Sequence, residues 1–130
     1  MVARYLASGV LNHALANTSF ALNVGGANVY VAVHTGDPGI SATANQLAST
    51  PRFPITFNAA VSATSVQGTS GSIVSSATGT ITHISLWGTS DTASGQALFR
   101  GALTASKTIA NVGDTIHAAS AAITVTLAGS

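Results

Sequence analysis

The candidate catalytic and binding residues of this sequence lie in two short stretches. The segment "HTGD" holds His34 and Asp37, and a histidine close to an aspartate is typical of acid–base catalysis or of metal binding. A second stretch runs from position 81 to position 103. It contains four side chains of types found in binding and catalytic sites, namely His83, Trp87, Asp91 and Arg100. Whether either stretch is a site depends on how many further reactive groups the chain supplies.

The supply of carboxylates is very small. The chain has three aspartates, Asp37, Asp91 and Asp114, and no glutamate. Acid–base catalysis by carboxylates needs two of them across a cleft. Asp37 and Asp114 instead lie next to turn glycines, a position at which aspartate usually caps the turn. We therefore expect turn caps at these two positions and no catalytic residues.

The chain also lacks the ligands of a metal site. One histidine and one aspartate at a strand end need two more ligands to hold a metal ion, and the sequence has no cysteine and no closely spaced ligand motif. It has no nucleophile-elbow pattern, and the adjacent glycines of "NVGGAN" lack the spacing of a phosphate-binding loop. We expect no metal, no cofactor and no enzymatic activity. A turnover that was lost on changing His34 or Asp37 would contradict this.

The composition favours a protein that assembles with others. Of the 130 residues, 46% are hydrophobic and only 5% are charged, against about 25% charged in typical soluble domains. A surface with so few charges is poorly protected against association, so we expect other subunits to cover much of it. The alternative is a secreted module with a neutral, Ser/Thr-rich surface. The net charge is +1 without a basic run, so we expect no nucleic-acid partner. No apolar stretch approaches the roughly 18 residues of a membrane helix, so we expect no membrane partner either.

Hydrophobic periodicity divides the chain into one helix and a series of short strands. Apolar residues recur at helical spacing in residues 2–16, and Leu6 and Val10 lie on the resulting stripe. From "NVYVAVHTG" onwards the period is two, and the largely apolar faces of that segment predict a central strand. The "DPG" that follows predicts a turn, and Pro54 predicts an edge position for the next strand. "KTIANVGDTIHA" predicts a hairpin across Asn111–Asp114.

These elements predict an all-β domain. About seven or eight short strands with frequent turn signals favour an antiparallel β-sandwich or a jelly-roll-like barrel, with one N-terminal α-helix. The chain shows no repeat, no linker and no shift in composition. We therefore expect a single domain over residues 1–130.

The order of the segments resembles a family of small structural proteins of tailed bacteriophages. The resemblance covers nearly the whole chain and is most specific in "VYVAVHTGDPG", "THISLW" and "GALTASKTIANVGDTI". Members of this family are described as tail-fibre-like or minor structural proteins, and comparable small β-rich proteins decorate phage heads. The resemblance implies a virion protein that assembles in the cytoplasm of the bacterial host and has no catalytic activity.

Among these roles we expect capsid decoration. A decoration (cement) protein binds the outside of the major capsid protein lattice and stabilises the head, and a homotrimer at a local three-fold position is its natural geometry. The alternative is a tail or tail-fibre component that acts in assembly or host adsorption. In either role, aromatic residues and arginine are concentrated where interfaces are strongest. We expect interface contacts at Leu6, Val10, Arg52, Trp87 and Arg100.

A free carbohydrate-binding β-sandwich is the alternative from a different class of function. In such a module, Trp87 and the polar loop Gly88–Gln96 would form the binding site. This alternative predicts that the isolated protein binds a glycan and that Trp87→Ala abolishes the binding without unfolding the protein.

Overall fold

The computed structural model of the protein describes residues 28–62, 64–95 and 97–126, and every extended regular element in these ranges is a β-strand. The strands pair antiparallel into one sheet of four strands and two sheets of two. The all-β, antiparallel part of the predicted fold class is therefore confirmed. The strands are β1 (Val29–His34), β2 (Phe53–Ile55), β3 (Thr64–Val66), β4 (Gly71–Val74), β5 (Gly79–Trp87), β6 (Ala97–Ile109), β7 (Thr115–Ala118) and β8 (Thr124–Thr126).

β1 lies inside the four-stranded sheet, as its sequence predicts. The strand order is β2-β1-β5-β6, so β1 has a partner on each side. Val31 lies opposite Phe53 of β2 and opposite Leu86 of β5. β2, which contains Pro54, lies at one edge of the sheet, and this confirms the edge position predicted from that proline.

One face of this sheet builds the main hydrophobic core. Because side chains alternate along a strand, Val31 and Val33 of β1 share this face with Ile84 and Leu86 of β5. The two small sheets, in which β4 pairs with β7 and β3 pairs with β8, pack on the same face. They and the residue before β8 add Ile116, Ile123 and Val125 to the cluster, and the end of β6 adds Ile109.

The opposite face of the four-stranded sheet is covered by loops. His34 of β1 and Ser85 and Trp87 of β5 lie on this face by the same alternation. Ala42, in the long loop between β1 and β2, is fully buried and packs against Trp87 in a second, small cluster. The polar and aromatic side chains of His34, Ser85 and Trp87 are therefore on the loop side of the sheet and not in the main core.

β6 is an edge strand that pairs irregularly with β5. Ile81 of β5 lies opposite Lys107, but His83 lies opposite Ala102. An advance of two residues along β5 therefore corresponds to five residues along β6. The extra residues form a bulge, which bends an edge strand and limits its pairing with other strands.

Of the two arrangements predicted, a sandwich or a barrel, the described strands do not form a closed barrel. β2, only three residues long with Pro54 at its centre, ends the sheet and does not pair with β6 at the other edge. The predicted hairpin across Asn111–Asp114 is wrong. The predicted turn at Asn111–Asp114 forms, with the Asp114 N–H donating to the Asn111 carbonyl at 3.2 Å. However, β7 pairs with β4 and not with β6, because the turn is hydrogen-bonded to Ser75 directly after β4.

The helix predicted over residues 2–16 lies outside the described residues and stays a prediction. The extent of the single domain over residues 1–130 also stays a prediction. In the part of the chain that the structure describes, no helix has the length and hydropathy needed to span a membrane.

Candidate functional site

Two of the residues predicted at an interface are stacked on each other. Trp87 is the last residue of β5, and Arg52 immediately precedes β2. The Arg52 guanidinium carbon lies 3.6 Å from the centroid of the indole ring, which is a cation–π contact. Trp87 is 2% exposed and Arg52 is 5% exposed, so both side chains are internal within the single chain.

The same guanidinium holds the loop between β5 and β6. Arg52 Nη1 donates to the carbonyl oxygen of Thr89 at 3.1 Å, to that of Ser94 at 3.2 Å, and to that of Asp91. Its Nε has no hydrogen-bond partner among the described residues. Burial lowers the pKa of Arg52, and the charge of Asp91 opposes this effect; the guanidinium nevertheless stays protonated in a protein. One buried cation thus lies where three backbone carbonyls of a surface loop converge.

A chain of hydrogen bonds links Trp87 to His34 on the neighbouring strand. The indole Nε1–H donates to Ser85 Oγ at 2.7 Å, and Ser85 Oγ lies 2.7 Å from His34 Nε2. His34 Nδ1 lies 2.9 Å from the carbonyl oxygen of Ala44. Because a carbonyl oxygen only accepts, Nδ1 carries the ring proton, and Nε2 accepts from the serine hydroxyl. His34 is thus a neutral histidine with both ring nitrogens in use.

The surroundings of His34 oppose protonation of its ring. The residue is 0% exposed, and burial lowers the pKa of His34 below its ordinary value. The Ala44 carbonyl acts in the opposite direction, whereas the charges of His83 and Arg52 lower the pKa further. At neutral pH the ring is therefore an uncharged part of the structure.

Asp37 and Asp114 cap turns, as the sequence predicts. Asp37 Oδ1 accepts from the Gly39 N–H at 2.9 Å, and Asp114 Oδ2 accepts from the Asn111 N–H at 2.9 Å. Both are side-chain bonds to backbone groups two or three residues away, which fix the turn and not a catalytic geometry.

Asp91 caps a turn inside the loop that Arg52 holds. Its carboxylate accepts from the Ser94 hydroxyl and, at 2.9 Å, from the Ala93 N–H. These two bonds, and to a lesser degree the charge of Arg52, lower the pKa of Asp91. The carboxylate therefore stays charged and keeps the loop in its turn conformation.

Arg100 forms an ion pair at the surface. Its Nη1 lies 2.7 Å from Asp37 Oδ1, with side chains that are 27% and 70% exposed. The Gly39 N–H lowers the pKa of Asp37 most, and the charge of Arg100 lowers it further. The pair joins β6 to the turn after β1, and water screens it strongly.

The structure brings together some of the predicted interface residues and separates others. Arg52 and Trp87 form one cluster, and Arg100 belongs to a separate surface pair. Leu6 and Val10 lie outside the described residues. The interface role of the five residues stays a prediction, and for Arg52 and Trp87 any such role acts through the loop that they hold, because their own side chains are covered.

His34 and Asp37 do not form a common site, because the ring nitrogens and the carboxylate bond to different partners. No cluster of three or more His, Cys, Asp or Glu side chains that could hold a metal ion occurs in residues 28–62, 64–95 and 97–126. The indole of Trp87 lies beneath Arg52, so the predicted carbohydrate site has no exposed aromatic surface for a sugar.

Sequence reasoning missed Ser85 and its contact with His34. One signal was available: Ser85 lies in the apolar end of β5, between Ile84 and Leu86, and a buried hydroxyl needs an internal partner. That partner lies 51 positions away along the chain, so no rule of spacing indicates which residue it is.

An open cleft lies between two loops on this side of the sheet. Its volume is about 530 Å³, and residues 46–51 line one wall and residues 90–92 the other. The second wall belongs to the loop that Arg52 holds. The buried stack therefore fixes the shape of an exposed surface.

No curated protein matches the sequence. The family model described as Podophage GP4 fiber I protein gp80 matches residues 1–126. This match confirms the resemblance to structural proteins of tailed bacteriophages. It also spans almost the full length of the chain, and the chain therefore belongs to the Podophage GP4 fiber I protein gp80 family.

Proposed function

We propose that the protein is a structural component of a podophage fibre and that it works by contacting other virion proteins and not by catalysis. The observation that carries this proposal is the family match over residues 1–126, whose description is that of a fibre protein. The match favours the tail-fibre alternative over capsid decoration. Under this proposal the chain is located in the virion.

The geometry of the reactive groups supports a non-catalytic role. His34 has both ring nitrogens in hydrogen bonds and no contact with solvent. The carboxylates of Asp37, Asp91 and Asp114 each hold a turn. Proton transfer to a substrate needs a titratable group within hydrogen-bond reach of that substrate. The His34 ring and the three carboxylates instead form hydrogen bonds within the protein.

The exposed surface supports assembly with other subunits. Among the described residues, four large hydrophobic side chains on turns or at strand ends are more than half exposed: Ile40, Val61, Val74 and Val112. Only 5% of the residues in the chain are charged. Exposed apolar groups with few charges around them favour burial against a neighbour. The partners we propose are neighbouring virion proteins and further copies of this chain, with a homotrimer as the closed arrangement.

Purified virions test this proposal. A fibre component is expected at a copy number well below that of the major capsid protein on a quantitative gel, and an antibody against it is expected to label the tail end of the particle in electron microscopy. A copy number comparable with that of the major capsid protein, with label over the head, would favour decoration of the capsid lattice instead. Absence of the chain from purified particles would overturn the structural role itself. The mass of the isolated protein by light scattering tests the homotrimer.

A further inference from the structure

We propose that acidification releases residues 88–95 of the loop between β5 and β6 from the sheet, and that His34 is the group that takes up the proton. The inference goes beyond the proposed function. It concerns a conformational change of one surface of the chain and holds whichever virion protein lies next to that surface.

Within the described part of the chain, Arg52 provides the only hydrogen bonds that attach this loop to the rest of the structure. Its bonds go to the carbonyls of Thr89, Asp91 and Ser94. The other hydrogen bonds of the loop are internal to it, and none of the inter-segment backbone bonds involves residues 88–95. Loss of the Arg52 contacts therefore frees the loop without breaking a strand pair, which makes the loop a unit that can open locally.

Protonation of His34 reverses the direction of its hydrogen bond with Ser85, the residue that also accepts from the indole. A proton taken from solvent by Nε2 turns that nitrogen from an acceptor into a donor. The Ser85 hydroxyl then loses its acceptor, and Ser85 Oγ receives two donors, His34 Nε2–H and Trp87 Nε1–H. An unpaired buried hydroxyl proton is costly. The arrangement that fixes Trp87 beneath Arg52 is weakened as a result.

Protonation also places a second buried cation on the face that holds Arg52. The charged and titratable groups near His34 are His83 from β5, Arg52 from the loop before β2, and Arg100 from β6, whose charge is already paired with Asp37. No carboxylate is hydrogen-bonded to His34 or to Arg52 among the described residues. Two such cations in a poorly screened interior repel each other.

Arg52 is the cation that can move away. His34 belongs to an inner strand of the sheet, whereas Arg52 has a long, flexible side chain that borders an exposed loop. Movement of the guanidinium into water relieves the repulsion and restores its hydration. The same movement removes the three bonds that hold residues 88–95.

The sign of the pH effect follows from the pKa of His34. That pKa lies below its ordinary value of about 6.5, because burial opposes the charged form. We call the chain closed when Arg52 holds residues 88–95 and open when these bonds are lost. The open or unfolded chain binds the proton on His34 more readily than the closed chain does. The closed state is therefore fully favoured above about pH 6.5 and is weakened as the pH falls towards the pKa of the closed state. Asp37 and Asp91, whose pKa values are also lowered, stay charged over this range.

Trp87, the only tryptophan of the chain, reports the release directly. Its emission spectrum and its quenching by acrylamide are measured on the full chain from about pH 7.5 to about pH 4.5, the range in which a histidine with a lowered pKa titrates. We expect a red shift and stronger quenching on acidification, reversible on neutralisation, while far-ultraviolet circular dichroism of the sheet stays constant. Hydrogen exchange, corrected for its intrinsic pH dependence, is expected to rise in residues 88–95 and not in β1 or β5.

Histidine variants identify the group that responds. His34→Gln removes the titration and is expected to abolish the pH response, whereas His83→Gln and His117→Gln keep it. Arg52→Met is expected to show the released spectrum already at neutral pH, and this variant tests the mechanism even if His34→Gln does not fold. A response that persists in His34→Gln, a spectrum that does not change with pH, or a change that coincides with loss of the circular dichroism signal would overturn the proposal.

Discussion

Arg52 carries a buried charge whose partners are the face of Trp87 and three backbone carbonyls, with no carboxylate bonded to it in the described structure. Burial of a cation is costly unless its protons are bonded, and the carbonyls of the loop after β5 bond the protons of Nη1. The contact therefore has two effects. The loop carbonyls accept hydrogen bonds from the guanidinium, and the guanidinium holds the loop in one conformation. Arg100, by contrast, is paired at the surface, where water screens its charge.

Substitution of these two arginines should therefore have unequal effects. Arg52→Ala leaves three carbonyls without their donor and uncovers the indole, so we expect a loss of about 1–3 kcal/mol in the free energy of unfolding. Arg100→Ala is the matched control, and its midpoint of chemical unfolding is expected to equal that of the wild type. Denaturation curves followed by Trp87 fluorescence and by circular dichroism measure both. Equal losses in the two variants would contradict the assignment of Arg52 as the residue that holds the loop.

At the scale of the elements, the two inner strands have different environments on their two faces. β1 and β5 direct Val31, Val33, Ile84 and Leu86 into the main core, and their alternate residues face the loops. The small sheets then have to approach the four-stranded sheet closely to cover the apolar face. That approach is close where β4 begins, beside β2.

Gly71, the first residue of β4, marks this close approach. A Cβ atom added there would lie 2.6 Å from the Pro54 carbonyl oxygen and 2.8 Å from Ile55 Cγ2, and a backbone atom cannot move aside as a flexible side chain does. We expect Gly71→Ala to destabilise the protein by about 1–3 kcal/mol through overpacking, measured as the shift in the melting temperature. Ser72→Ala, at the next and exposed position, is the control and should melt like the wild type. If Gly71→Ala melts at the wild-type temperature, the small β4–β7 sheet does not pack as closely as described.

At the scale of the whole molecule, the free energy of folding depends on apolar burial and on internal hydrogen bonds much more than on ion pairs. The chain contains four Lys and Arg and three Asp and Glu side chains, and in the described ranges the one salt bridge is the exposed Arg100–Asp37 pair. Dissolved salt screens the charges of an exposed ion pair. Charge screening does not weaken the burial of apolar side chains.

The stability should therefore respond weakly to sodium chloride and clearly to sulfate. We expect the melting temperature to change little between about 0.05 M and about 0.5 M sodium chloride, and to rise in sodium sulfate of the same ionic strength, because excluded salts strengthen apolar burial. Differential scanning calorimetry measures both series. A steep fall in sodium chloride would show that charge pairs contribute far more than these few residues predict.

Features that depend on residues close together in the chain could be predicted from the sequence alone. The alternation of "VYVAVH" predicts β1 and its inner position, and Pro54 predicts the edge position of β2. Asp37 and Asp114 are recognisable as turn caps from the glycines beside them. These features follow from local rules, because the pleat of a strand and the capping of a turn act over two or three residues.

Strand pairing and the contacts between distant polar side chains became known only from the three-dimensional structure. β7 pairs with β4 although the turn at Asn111–Asp114 fits a hairpin with β6. His34 meets Ser85 across 51 positions of the chain, and Arg52, just before β2, covers Trp87 at the end of β5. The physical reason is that each of these contacts joins segments far apart in sequence, and its free energy depends on how all the elements pack together, which no local pattern contains.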